Sequence, residues 1–490
     1  METINVLWLK RDLRTRDHEP FKLAVEAGRP LLVLFCFEPE LVDDVHSDDR
    51  HWRFVYESLL DMREVLAEHD AWVEVVYGEV PDTFAELVKH YQIDQVFSHE
   101  EIGIELTWMR DRTMKAFFAE QGIEWIECQF SGVFRGLHGR DTWRKDWEKV
   151  MKAPQQHPDL PHLRTVKLAP ALIEKLQQRT IPEAWTTPVP TMQGGGETLA
   201  WKYLTTFFDE RISDYFLNIS KPLDSRRTCS RVSTYLAWGN LSLRQCYQYG
   251  KANKDKVQNK RNLSGWMSRL RWRDHFIQKF ESEARYEFEA INRAFDEIRT
   301  DYDEDLFQAW IQGQTGFPLV DACMRAVAAT GYLNFRMRAM VNSFYTHLLW
   351  QPWKIASQYT ARVWLDYEPG IHYTQTQMQA STTGINTIRI YSPTHNAIKN
   401  DPEGTFIKEW VPELRELPKK YVHEPWKIKP MEEEMYNFKL GRDYPAPIVD
   451  YKEARHFANE ELWRVKKSDA AKAEGERIKA RHVNPGRRHA

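Results

Sequence analysis

The sequence predicts two architectures in one chain: an N-terminal α/β domain built on a doubly wound parallel sheet, and a C-terminal all-α domain. Three observations carry this. Over the first 130 residues, short apolar runs alternate with amphipathic stretches, the pattern of strands covered on both faces by helices. From residue 197 onward strand-like alternation is almost gone and helical periodicity takes over. Between them, residues 131–196 concentrate Pro and Gly, in "APQQHPDLPH", "TIPEAWTTPVPTMQ" and the "GGG" at 194–196.

Taken in order, strands are predicted at 4–9 (INVLWL), 30–37 (PLLVLFCF), 72–78 (WVEVVYG), 94–100 (DQVFSHE) and 124–129 (EWIECQ). Helices are predicted at about 50–69, 82–91 and 105–122. The turn after the first strand reads KRDLRTRDHEP, without glycine, which excludes a dinucleotide held on a GxGxxG turn. A small ligand at the carboxyl ends of the strands stays open, with Glu38, Glu40 and Glu101 placed there. The chain then divides as 1–130, a linker at 131–196, an all-α domain at 197–460 and a basic tail at 461–490. Predicted helices in the second domain fall at 197–212, 230–238, 242–253, 263–280, 284–298, 304–311, 317–330, 334–350 and 354–361. Within it, "LDYEPGIHYTQTQMQ" (365–379) is expected to turn at Pro369-Gly370, because neither residue continues a helix.

Composition narrows the function classes. The 490 residues are 42% hydrophobic and 28% charged, a globular balance. Nineteen Trp supply a large aromatic core, stacking surfaces for flat ligands, or an electron path. The net charge of −3 gives no bulk basicity, but residues 464–490 hold nine Lys/Arg against three acids and end in RHVNPGRRHA, a candidate nucleic-acid contact. Five scattered cysteines without a CxxC pair argue against a disulfide framework or a structural zinc. Neither a signal peptide nor a long apolar run is recognisable, so a cytoplasmic, membrane-free protein is expected.

Four constellations carry chemistry. In 225–246, Ser225, Thr228, Ser230 and Ser233 stand near Arg226, Arg227 and Arg231 at a helix start, which suits a phosphate or pyrophosphate. In 268–276, Arg269, Trp272, Arg273 and Phe276 share a helix face, which suits a base stacked beside a phosphate. In 331–353, Asn334, Arg338 and Asn342 form a polar line on an otherwise apolar helix; burying Arg338 requires a carboxylate, and Asp366 or Glu368 is the expected partner. The fourth is 365–379 itself, where Asp366, Glu368 and His372 could bond the edge of a heteroaromatic ring.

From residue 3 to about 460 the chain resembles the photolyase/cryptochrome flavoprotein family. The motifs are LWLKRDLRTRDHEP, TCSRVSTYLAWGNLS, WIQGQTGFPLVDACMR (310–325), LNFRMRAMV, LDYEPGIH and RIYSPTHNAIKNDPEGTFIKEWVPEL, in that order. The second departs from the family's usual TSRLSPYLA-G-LS pattern at Cys229 and Thr234. The resemblance implies an antenna chromophore in the α/β domain, and FAD in the helical domain. It places Tyr215, Ser230, Val232 and Ser233 along the FAD phosphates and Arg273 beside them. It sets Asn334, Arg338, Asp366, Tyr367, Glu368 and His372 around the isoalloxazine, with His372 facing N5.

The segments SRLRWRDHFIQKFE, LNFRMRAM and DYEPGIHYTQ are most similar to the bacterial iron–sulfur cryptochrome/(6-4) photolyase branch. An iron–sulfur cluster takes four cysteine thiolates, and no cysteine follows Cys323, so no cluster is expected. The branch implies repair of (6-4) photoproducts and a lumazine-type antenna, with folate or deazaflavin as other antenna choices. Trp272, Arg269 and Met378 would meet the DNA lesion, with His347 and Tyr391 as further lesion contacts. Trp353 matches the middle of the family's tryptophan chain, whereas the inner and outer positions fall on Thr376 and near Thr300; Trp350, Trp364 and Tyr373 could supply another route. The expected function is light-driven repair of ultraviolet-damaged DNA by a monomer, without a metal. A blue-light cryptochrome photoreceptor and a cyclobutane pyrimidine dimer photolyase are the alternatives.

Overall fold

The structure, a computed structural model, describes residues 1–483. The strands are β1 (Glu2–Leu9), β2 (Leu31–Phe37), β3 (Glu74–Tyr77), β4 (Tyr91–His99) and β5 (Glu124–Cys128). All pair in parallel, in the order β3-β2-β1-β4-β5. Leu7 lies opposite Val33 on one side and Phe97 on the other. Between the strands run α1 (Glu19–Glu26), α2 (Asp49–Ala67), α3 (Val80–Leu87) and α4 (Glu105–Gln121).

Side chains alternate across a strand, and here the two faces feed different cores. Ile4, Val6 and Trp8 pack with Leu32, Leu34, Phe84, Met114 and Phe118. Leu7, Leu9, Val33, Phe35 and Phe37 pack with Trp52 and Phe54, and this core runs on into Tyr235, Trp238 and Trp266 of the helical half. Apolar contact therefore joins the two halves where the carboxyl ends of the strands face the helices.

The expected connector is not bare chain. It carries α5 (Trp143–Lys152) and α6 (Pro170–Leu176). Leu31 bridges Thr165, and Tyr77 O accepts from Gln178 N at 2.8 Å, so the connector extends the sheet's hydrogen bonding. In the helical half the elements that matter here are α7 (Ser225–Thr228), α8 (Ser233–Ala237), α9 (Lys260–Ser282), α10 (Pro318–Thr330), α11 (Phe335–Ser343), α12 (Trp353–Val363) and α13 (Pro369–Gln379). The chain continues through α14 (Tyr451–Lys466) and α15 (Asp469–His482).

Four expectations are corrected. The helix expected at 284–298 is two short 3-10 turns, at Ala284–Glu287 and Arg293–Phe295. Side chains claim its backbone: Gln377 accepts from Ile291 N at 2.5 Å, and Asn292 from Ala294 N at 3.2 Å. The helix expected at 334–350 ends at Ser343 and widens into a π-helical turn at Phe344–Leu348. Pro369-Gly370 does not turn the chain; Pro369 opens α13, where its missing N–H costs nothing. Gly370 is required for another reason: a Cβ there would stand 2.6 Å from Ile277 Cα, so it lets α13 lie directly on α9.

The fourth concerns the basic tail expected at 461–490. Residues 461–483 belong to α14 and α15, and α15 is docked. Arg477 pairs with Glu283 at 2.7 Å, and His482 sits 2.5 Å from Glu283 and 2.8 Å from the Tyr286 hydroxyl. The final residues 484–490 of the candidate nucleic-acid contact lie outside the described residues. Among the described residues, no helix is long and apolar enough to cross a membrane.

Candidate functional site

The site forms where α9, α11, α12 and α13 converge below the carboxyl edge of the sheet. Arg338, on α11, donates to Asp366 Oδ1 at 2.8 Å and to Leu333 O at 2.7 Å. This is the pairing expected from the cost of burying that guanidinium. Glu368 takes another partner: its Oε2 accepts from Arg273 Nη2 at 2.9 Å, while Arg273 also donates to Leu236 O at 2.8 Å. Arg11, in the turn after β1, approaches Glu368 Oε1 at 3.9 Å and donates to Tyr367 O. Arg11 was missed in the sequence, because only the tertiary fold brings that turn to residues 367–368.

Several buried polar atoms here have no hydrogen-bond partner within the protein. They are Glu368 Oε1, His372 Nδ1, Asn342 Oδ1, Thr376 Oγ1 and the Tyr367 hydroxyl. Buried polar groups are ordinarily bonded, so these atoms point to a bound polar group. Only one nitrogen of His372 is used within the protein. Nε2 donates to Ser357 O at 2.8 Å, which leaves Nδ1 as an acceptor. The imidazole stands edge-on to Trp364 and Tyr367, both at 5.1 Å.

Burial pushes the imidazoles of His347 and His372 down from the ordinary 6.5 to about 3, so both are neutral. The unfolded chain then binds more protons than the folded one below pH 6.5. This stability is complete above 6.5 and is lost as pH falls, at about 2 kcal/mol per histidine by pH 5. A urea midpoint that drops between pH 7 and pH 5, and drops less in His347→Gln, is the expected outcome.

The other sequence-chosen residues fall into three groups. Asn334 is committed to structure: its Oδ1 caps α11 by accepting from Met337 N at 2.9 Å, and its amide donates to Ser225 Oγ at 3.0 Å. The free amide oxygen on that helix belongs to Asn342. In the hydroxyl-rich segment, Thr228 Oγ1 donates to Asp224 O and Ser225 Oγ to Pro222 O, so neither is free. Ser230, Val232 and Tyr215 are buried, and Ser233 is exposed. Arg231, in a left-handed conformation (φ 58°), lies 3.6 Å over the Tyr332 ring with its Nε unpartnered.

The third group concerns the surface and the electron path. Trp272 is 37% exposed and stacks on Phe276 at 5.4 Å and 29°. Arg269 is exposed beside it, and Met378 is half-buried on α13. His347 is fully buried and bonds Ser343 Oγ at 2.9 Å; Tyr391 is half-buried and joins the same oxygen through its backbone N–H at 3.1 Å. Ser343 Oγ thus joins His347 to the Tyr391 backbone, while His347 Nε2 has no hydrogen-bond partner within the protein. Trp353 opens α12, 6.5 Å from the Tyr373 ring.

Above the site, a cavity of roughly 80 Å³ lies at the carboxyl ends of β1, β2 and β4, lined among others by Cys36, Glu38, Glu101, Arg110, Trp238 and Tyr367. The strand order reverses between β1 and β4, where ligands of open α/β sheets bind. Arg110 joins Glu38 at 2.5 Å and Glu101 at 2.6 Å. Burial still lifts the Glu38 carboxyl to about 7. Glu40 bonds Glu79 through its backbone N–H at 2.8 Å, outside this lining.

Two further groups bear on metals. The five cysteines are free thiols, and burial raises each of them above the ordinary value. Asp12, His18 and His99 bring their ligand atoms together. His18 Nδ1 accepts from Phe21 N at 3.1 Å, so its Nε2 carries the proton and faces Asp12 Oδ2 at 3.0 Å. His99 Nδ1 lies 2.7 Å from the same oxygen. A metal-bound imidazole donates through its other nitrogen; His18 Nδ1 accepts there instead, which does not suit ligation through its Nε2.

Comparison with known proteins agrees with this geometry. A family model described as the FAD binding domain of DNA photolyase matches residues 266–464, and one described as DNA photolyase matches residues 5–135. The chain is 27% identical over 482 residues to a deoxyribodipyrimidine photo-lyase of Alkalihalophilus pseudofirmus, covering 93% of this chain and 96% of that one. It is 29% identical over 481 residues to a cryptochrome DASH of Gloeobacter violaceus, covering 92% and 94%. A crystal structure of a Synechocystis cryptochrome superposes with a TM-score of 0.84 at 23% identity, over 94% of this chain and 99% of the other. With its parallel-sheet domain, its FAD-binding helical domain and these matches along nearly its whole length, the chain belongs to the photolyase/cryptochrome family.

Proposed function

We propose that this chain is a light-driven DNA photolyase that holds FAD in its helical half and repairs a flipped ultraviolet lesion, specifically the (6-4) photoproduct. The residues fit FAD. Asp366 and Arg338 offer an acceptor and a donor, while the unpartnered atoms of Asn342, Glu368, His372 and Thr376 can bond ring and ribityl edges. Bound and reduced, FAD supplies the electron that light drives into the lesion. The protein's part is to position and to exclude water: Arg338 and Asp366 orient each other, and the neutral His372 holds an acceptor at Nδ1 without adding charge.

The observation that carries repair over signalling is Trp272. A large indole left 37% exposed, stacked on Phe276 and flanked by the exposed Arg269, is a platform for an unstacked base. The similarity of residues 268–281, 333–340 and 366–375 to the bacterial branch supports the (6-4) choice. The cavity at the β1/β4 switch point supports an antenna of the lumazine class, with Glu38 and Arg110 as its polar contacts.

Reduced protein, irradiated with oligonucleotides carrying (6-4) or cyclobutane lesions, should restore intact bases in the first. Conversion of the cyclobutane lesion alone would reassign the substrate, and conversion of neither would favour a photoreceptor. Trp272→Ala should weaken lesion binding about 5- to 150-fold, the value of one stacked base at about 1–3 kcal/mol, without altering flavin content. Gel-shift affinity against the intact duplex measures it.

A further inference from the structure

An Asp–His–Tyr relay crosses from the α/β domain to the flavin-side helix. Asp44 Oδ1 lies 2.5 Å from His46 Nδ1 and also accepts from His46 N at 2.9 Å. His46 Nε2 meets the Tyr373 hydroxyl. An ionised aspartate only accepts hydrogen bonds, so His46 Nδ1 carries the proton and Nε2 presents its lone pair to the phenol. His46 also stacks on Tyr367 at 5.7 Å and 3°. Tyr373 directly follows His372, at 5.5 Å between rings, and contacts Trp353 and Phe280.

We propose that Tyr373 is the electron donor that re-reduces oxidised flavin in light, with His46 as its proton acceptor and Asp44 as the positioning residue for His46. The inference rests on the flavin reading above. In the step, Tyr373 gives one electron to the light-excited oxidised flavin, and its phenolic proton passes to His46 Nε2. The products are a neutral tyrosyl radical, an imidazolium paired with Asp44, and flavin reduced by one electron. Mass and charge balance without a further reactant.

The tryptophans of this region are poorer donors for a physical reason. Arg338 lies 4.5 Å over the Trp364 ring, Arg299 5.3 Å over Trp350 and Lys354 5.9 Å over Trp353. Oxidised tryptophan is initially a cation, and each of these neighbours repels it. Tyrosine oxidised with loss of its proton is neutral, and Tyr373 has a base in contact to take that proton. Burial raises the Tyr373 phenol well above its ordinary value, so it holds its proton until oxidation. The relay ends at the surface: Asp44 is partly exposed and Val45 is 53% exposed, which gives the imidazolium a route to water.

The test is electron paramagnetic resonance on flavin-loaded full-length protein, illuminated and frozen, with ring-deuterated tyrosine to identify the signal. Wild type should give a tyrosyl radical. Tyr373→Phe, which removes one hydroxyl and keeps the ring stacks, should reduce that signal at least tenfold with flavin content unchanged. His46→Gln keeps an acceptor but not a base and should reduce it to a similar extent, an outcome a purely structural role does not produce. A tyrosyl signal undiminished in Tyr373→Phe, or a tryptophan radical as the main wild-type species, overturns the proposal alone. Wild type whose flavin is not reduced by light overturns both it and the flavin reading.

Discussion

Asp366→Ala should leave the chain unable to retain FAD and lower its stability by roughly 1–3 kcal/mol, between the cost of breaking an exposed and a fully buried ion pair, because both side chains are half-buried. Arg338 would keep its bond to Leu333 O but lose its carboxylate, in a setting where Trp364 covers the guanidinium and water reaches only its edge. The loss is twofold: a stranded cation in the apo chain, and a missing acceptor for the flavin. Asp366→Asn keeps the shape and part of the bonding, and should fall between. Flavin-to-protein absorbance after gel filtration, with urea midpoints of the apo forms, separates the two effects. Flavin content unchanged in Asp366→Ala would move the flavin elsewhere.

Gly370→Ala should destabilise by about 1–3 kcal/mol, although alanine is the better helix former. The new Cβ would meet Ile277 Cα at 2.6 Å and the Ile277 side chain at 3.2 Å, and backbone cannot rotate away. α13 must then lift from α9. These helices carry Glu368 and Arg273, so the 2.9 Å pair between them should open and FAD retention should fall with stability. A thermal midpoint equal to wild type would show that the contact is softer than its geometry implies.

Much of this was legible in the residues. The strands were readable because each is a short apolar run closed by polar residues, and their parallel pairing follows from the helices between them. The partnership of Arg338 and Asp366 was readable because a cation on an apolar helix must be matched. Other features were not. Proline reads as a break in a sequence window, yet at the first position of α13 it opens the helix. The basic run at 464–483 reads as a basic tail, yet α15 is pinned by Glu283 and Tyr286, nearly 200 residues earlier in the chain. Asn334 reads as a ligand contact, but its own helix takes it as a cap, and Asn342 is left with the free oxygen.

The amino-acid sequence by itself determined the two architectures, the family and the presence of matched charges around Arg338, because these depend on periodicity, motif order and the cost of burying charge. Only the tertiary structure decided which carboxylate meets which arginine, that Ser343 joins His347 to the Tyr391 backbone, and that Tyr373 meets His46 across 327 residues. Contacts of that kind depend on how the sheet edge and the helices dock, and no local pattern encodes the docking.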